Sequence, residues 1–122
     1  MPNIVVLGVP FSVDPKKIVY LGKNIEDIVK DVLDLPEGSA TSFFIPDQRS
    51  IDVHKIACFI YLRDLENRTE GVKGKLKSEI ADYLHNFSIS ELPSSEKPRH
   101  VDVILRLFPS DDMEHILISP LK

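Results

Sequence analysis

Residues 2–33, PNIVVLGVPFSVDPKKIVYLGKNIEDIVKDVL, decide the fold. Residues 4–7 form an unbroken aliphatic run, short enough for a buried strand. Asp14 then offers an N-cap oxygen, and Pro15 sits at the first helical position, where a missing N–H costs nothing. Ile18, Leu21, Ile25, Ile28, Val29 and Val32 follow at spacings of three and four, which gather them on one helical stripe. Lys16, Lys17, Lys23, Glu26, Asp27, Lys30 and Asp31 fall on the other face. Pro36 disfavours helix in its predecessor, so the helix is expected to end near Leu35, with Gly38 and Ser39 making the turn. A second strand is expected over 41–45, stopped by Pro46.

The pattern then repeats. A short connection through Asp52 leads to an almost wholly apolar third strand over 56–62, expected to be buried on both faces. A helix begins at Asn67 or Thr69 and carries its stripe on Val72, Leu76, Ile80, Leu84 and Phe87, with Gly71 and Gly74 weakening its first turn. SISELPSSEKPR (88–99) reads as a polar connector, HVDVILRLF (100–108) as the fourth strand, and residues 115–121 as a terminal strand suited to a sheet edge. One domain over 1–122 is expected, with pseudo-repeats at about 2–50 and 54–109. Right-handed crossovers make each strand pair parallel, which gives a four-stranded α/β sheet with both helices on one side. The uncovered side would carry apolar residues, so the chain is expected to oligomerise and bury it.

Composition narrows the function. Lys and Arg number 15 against 19 Asp and Glu, and the net charge of −4, with the signs interleaved, argues against nucleic acid as a partner. No apolar run reaches the roughly 18 residues of a membrane span, and no secretory signal opens the chain. A cytoplasmic protein without a membrane partner is expected. The lone Cys58 excludes an intrachain disulfide and reads as a small buried hydrophobe. His54, His85, His100 and His115 fall singly in different elements, so no metal is expected. No glycine-rich phosphate loop and no G-x-S-x-G nucleophile turn is present, and no cofactor is expected. NRT at Asn67 and NFS at Asn86 match the glycosylation pattern, which carries no weight without a leader.

One residue stands out chemically. Removal of Met1 turns Pro2 into a terminal secondary amine able to work as acid or base near neutral pH; retention of Met1 makes the same nitrogen an inert amide. The plainer reading of Pro2 is a proline that merely opens a strand.

Four segments, in this order and spacing, resemble the tautomerase superfamily, in particular its macrophage migration inhibitory factor and D-dopachrome tautomerase branch. They are PNIVVLGVP at the start, DLPEGSATSFFIPDQ from Asp34 to Gln48, NRT at Asn67, and RLFP at Arg106 to Pro109. The resemblance spans nearly the whole chain. It implies a homotrimer with sites at subunit interfaces, a small carbonyl or enol substrate, and keto–enol proton transfer by the N-terminal proline. An α-amino group titrates near ~8, and an apolar pocket lowers that value towards operating pH.

The sequence also departs from the family's pattern. The family's lysine falls at Leu35, its serine-isoleucine-glycine at Arg63, Asp64 and Leu65, its fourth-strand tyrosine and asparagine at Asp102 and Ile104, and the arginines of one branch near Ser12 and Ser42. Pro2 is thus the candidate base, with Arg63, Asp64 and Asp102 as candidate substrate-binding residues. Arg63 offers a planar fork for a carboxylate, against the plainer reading of a solvated strand-end charge; Arg49 and Lys55 are less well placed. Two functions follow: a tautomerase built on Pro2, weak on standard α-keto acids, or a non-catalytic trimer that binds a protein receptor in the manner of a cytokine. The resemblance leaves export by a leaderless route open for either.

Overall fold

Helix capping and strand alternation set the elements where the spacing puts them. The computed structural model describes residues 2–10, 13–45, 55–63, 68–92, 98 and 100–108. In order these form β1 (Asn3–Leu7), α1 (Pro15–Leu33), β2 (Thr41–Ile45), β3 (Lys55–Arg63), α2 (Glu70–Glu91) and β4 (His100–Phe108).

The Asp14 side chain accepts from the Lys16 N–H at 2.9 Å, with Pro15 opening α1 behind it. At the other end Asp34 takes the left-handed conformation (φ 54°), and the N–H groups of Asp34 and Leu35 both reach the Lys30 carbonyl. The helix therefore closes one turn ahead of Pro36, with Leu33 its last residue. α2 is capped by Thr69, whose hydroxyl accepts from the Val72 N–H at 3.3 Å.

The sheet runs β2-β1-β3-β4, with each outer pair parallel and the central β1/β3 pair antiparallel. Both helices cover one face. Ile4 and Val6 of β1 and Ile56, Cys58, Ile60 and Leu62 of β3 are fully buried there against Leu21, Ile25, Val29, Leu76, Ile80 and Leu84. The Asn24 amide donates to the Tyr83 hydroxyl at 2.8 Å, and Lys17 pairs with Glu91, so the two helices are also tied to each other. Gly8 ends β1 at φ +93°, and a Cβ there would lie 2.2 Å from the Lys55 carbonyl oxygen, so only glycine lets β1 leave the sheet past β3.

The opposite face carries no helix. Val5, Leu7 and Phe59 are half-buried on it, while Phe43 is 54% and Ile45 44% exposed. The third strand is thus sealed on its helix side and only half covered on the other.

The boundary of α2 corrects the sequence reading. Residues 88–91, expected to begin the connector, continue the helix to Glu91. The Ser88 hydroxyl donates to the Leu84 carbonyl at 2.9 Å and the Ser90 hydroxyl to the Asn86 carbonyl at 3.0 Å, so these serines bond back onto the helix instead of breaking it. Leu92, just beyond, is buried and anchors the end. The connection through Asp52, the start proposed at Asn67, most of the 88–99 connector and the 115–121 strand lie outside the described residues.

Candidate functional site

Pro2 precedes the first strand residue and is buried. Its carbonyl accepts from the Thr41 N–H at 3.1 Å, which fixes the start of the chain to β2. On the other side Asn3 pairs with Tyr61 in antiparallel register, so one step further sets Pro2 opposite Leu62. Strand alternation puts Arg63 on the helix-free face together with Tyr61 and Phe59, while Leu62 points into the core. Pro2 and Arg63, chosen separately from the sequence, therefore lie at the same end of the sheet, Pro2 on the side of Leu62 and Arg63 on the helix-free side. Tyr61 stacks on Phe108 of β4 at the same end, with ring centres 6.0 Å apart and an interplanar angle of 17°.

A second arginine joins them. Arg68 lies just ahead of the Thr69 cap and is only 8% exposed, and its Nη1 donates to the Arg63 carbonyl oxygen at 2.6 Å. Burial holds its pKa below the usual guanidinium range, and the nearby Arg63 charge pushes the same way. The N-terminus of α2 adds its own partial positive charge. The Pro2 end of the sheet thus carries two guanidiniums and a helix N-terminus.

The other candidates fall elsewhere. Asp102 stands on the helix-free face opposite Ala57, its Oδ2 3.2 Å from the Lys55 Nζ. Five steps along β3 separate that position from Leu62, roughly 16 Å, so within one chain Asp102 does not stand beside Pro2. Lys55 is occupied by the same ion pair. Leu35 packs against the core, so no cation stands where the family's lysine would be. Ser42 points to the helix layer, where its N–H donates to Glu26 Oε2 at 3.0 Å and its hydroxyl donates to the same oxygen. Asp64, Arg49 and Ser12 lie outside the described residues. Cys58 is fully buried, and burial pushes its thiol up to about 12, which leaves it inert.

Two clefts open away from this end. One of about 520 Å³ runs between α1 and β2, where Lys30 and Glu37 already pair at 2.9 Å. The other, about 330 Å³ between α2 and β4, is lined by Asp82, His85 and His100. Among the described residues no three His, Cys, Asp or Glu side chains could hold a metal ion. Pro2 lines neither cleft.

Sequence reasoning missed Arg68, Tyr61 and Phe108. NRT had marked only a helix start, and the Tyr61–Phe108 stack depends on a β3/β4 register that spacing does not specify. The central antiparallel register, once known, would have given Tyr61 by counting from Pro2.

Comparisons with known proteins bear on the fold. No family model and no curated protein matches the sequence. Solved structures do. A fused 4-OT wild-type asymmetric trimer superposes with a TM-score of 0.65 at 12% identity, over 89% of this chain and 88% of that one. A macrophage migration inhibitory factor-like protein from Entamoeba histolytica gives 0.63 at 7% identity, over 91% of each. MIF2 of Leishmania major gives 0.64 at 16%, over 88% of this chain and 89% of that one. The architecture is therefore the α/β tautomerase and macrophage migration inhibitory factor fold, as the sequence resemblance implied, and at these identities the likeness is one of fold.

Proposed function

We propose that the chain is a proton-transferring keto–enol isomerase that works as a homotrimer, with Pro2 as base. The observation that carries this reading is that a buried Pro2 and Arg63 lie at the same end of a sheet whose other face no helix covers. That face supports assembly, since Phe43 and Ile45 would otherwise stay in water, and the fused 4-OT neighbours are trimers. Covering it with further copies would also turn the rim around Pro2 into a closed pocket. Asp102 enters such a pocket only from an adjacent protomer, as the resemblance implies.

In the proposed step the Pro2 nitrogen, free after Met1 is removed, takes a proton from the carbon beside a carbonyl. The C–H electron pair becomes the enolate double bond, the oxygen gains the charge, and a proton delivered to that oxygen gives the enol, an isomer of the substrate. Arg63 would hold a substrate carboxylate and counter the developing charge. Burial of the amine disfavours its cation, so activity should rise with pH through a midpoint below the ordinary ~8 and then level off.

Intact mass first establishes that Met1 is absent, and ketonisation of phenylpyruvate or hydroxyphenylpyruvate is then compared between wild type and Pro2→Gly. The variant should lose roughly 10²-fold in rate, the usual contribution of a placed acid–base group. A shared background rate overturns the enzymatic reading. A second reading, a trimer that acts through protein contacts alone, is favoured by Leu35, which leaves no cation at the lysine position.

A further inference from the structure

Arg68 is an expensive residue for a purely structural post. Its side chain is nine-tenths buried, its charged head is desolvated, and a second guanidinium stands close by. Among the described residues no carboxylate meets it, and its Nη1 is spent on one main-chain oxygen, that of Arg63. An apolar side chain of similar volume would fill the same space at lower electrostatic cost. The bond does something an apolar residue cannot. It clamps the last residue of β3 to the residue ahead of the α2 cap, bridging the two ends of the intervening 64–67 segment. The backbone from which the Arg63 side chain departs is thereby fixed, one strand away from the start of β1.

We infer that Arg68 is a positioning residue, which holds the Arg63 carbonyl so that the Arg63 side chain departs from a set place at the Pro2 end of the sheet. This rests on the reading that Arg63 faces a substrate carboxylate.

The test uses phenylpyruvate and its methyl ester with wild type, Arg68→Met and Arg68→Lys. Arg68→Met should raise KM for the carboxylate about tenfold, the loss of one well-placed charge contact, with a smaller change in kcat and far less effect on the ester. Arg68→Lys, still able to donate to the carbonyl, should recover most of the loss. Parallel changes for acid and ester, or a lower melting temperature with the acid-to-ester ratio intact, would make Arg68 merely structural and overturn the inference. If wild type shows no Pro2-dependent turnover, calorimetric titration with the same two compounds gives the answer. Wild type should then prefer the acid and Arg68→Met should lose that preference; wild type without a preference overturns the inference independently of catalysis.

Discussion

At Gly8 two independent constraints meet: a backbone angle that L side chains rarely adopt, and a main-chain oxygen only 2.2 Å from where a Cβ would stand. A side-chain tip can rotate away from such a contact, but a β3 carbonyl cannot. Gly8→Ala should therefore cost more than about 2 kcal/mol in urea unfolding, well beyond an ordinary surface change. Cys58 gives a second prediction at this scale. A thiol with a pKa near 12 and no exposure offers almost no thiolate at pH 8, so alkylation of native protein should be at least about 10³-fold slower than in urea, followed by mass. Labelling at the unfolded rate would mean that the strand opens readily. Single residues such as Cys58, Pro2 and Arg63 were legible in the sequence because type and strand position suffice to place them. Arg68 was not, since its meaning lies in a bond to the Arg63 carbonyl that no spacing rule specifies.

Helices and strands show where local signals suffice. Asp14-Pro15 gave the start of α1 and the three-and-four spacing gave its buried face, because capping and amphipathicity act within one element. The end of α2 was misjudged for a matching reason. Ser-Ile-Ser-Glu has loop composition, yet its serines bond to carbonyls four residues back, and the anchor that holds the last turn, Leu92, lies beyond it. Leu92→Ala should then lower stability by roughly 2–3 kcal/mol and reduce helical circular dichroism, as the final turn loses its buried contact. An unchanged spectrum and midpoint would show that the turn holds itself. Glu26 plays a comparable part at the sheet edge. It accepts from the Ser42 N–H and hydroxyl of β2, and Glu26→Ala should cost about 1–2 kcal/mol by leaving that edge donor without its carboxylate.

For the whole molecule, the arrangement follows from duplication. Two β-α-β units side by side put both helices on one face, and Val5, Leu7, Phe43, Ile45 and Phe59 leave an apolar patch on the other. That consequence was readable before any coordinates, because a run with no polar alternation has no side meant for water. The antiparallel join between the units was not, and with it went half of the candidate site. The same face links fold to function, since copies that cover it would also roof the rim at Pro2. The most direct test is sedimentation equilibrium at micromolar concentration, with wild type beside Phe43→Asp. Wild type at three times the chain mass, with the variant dissociating, is the result expected; a wild-type monomer would contradict the account.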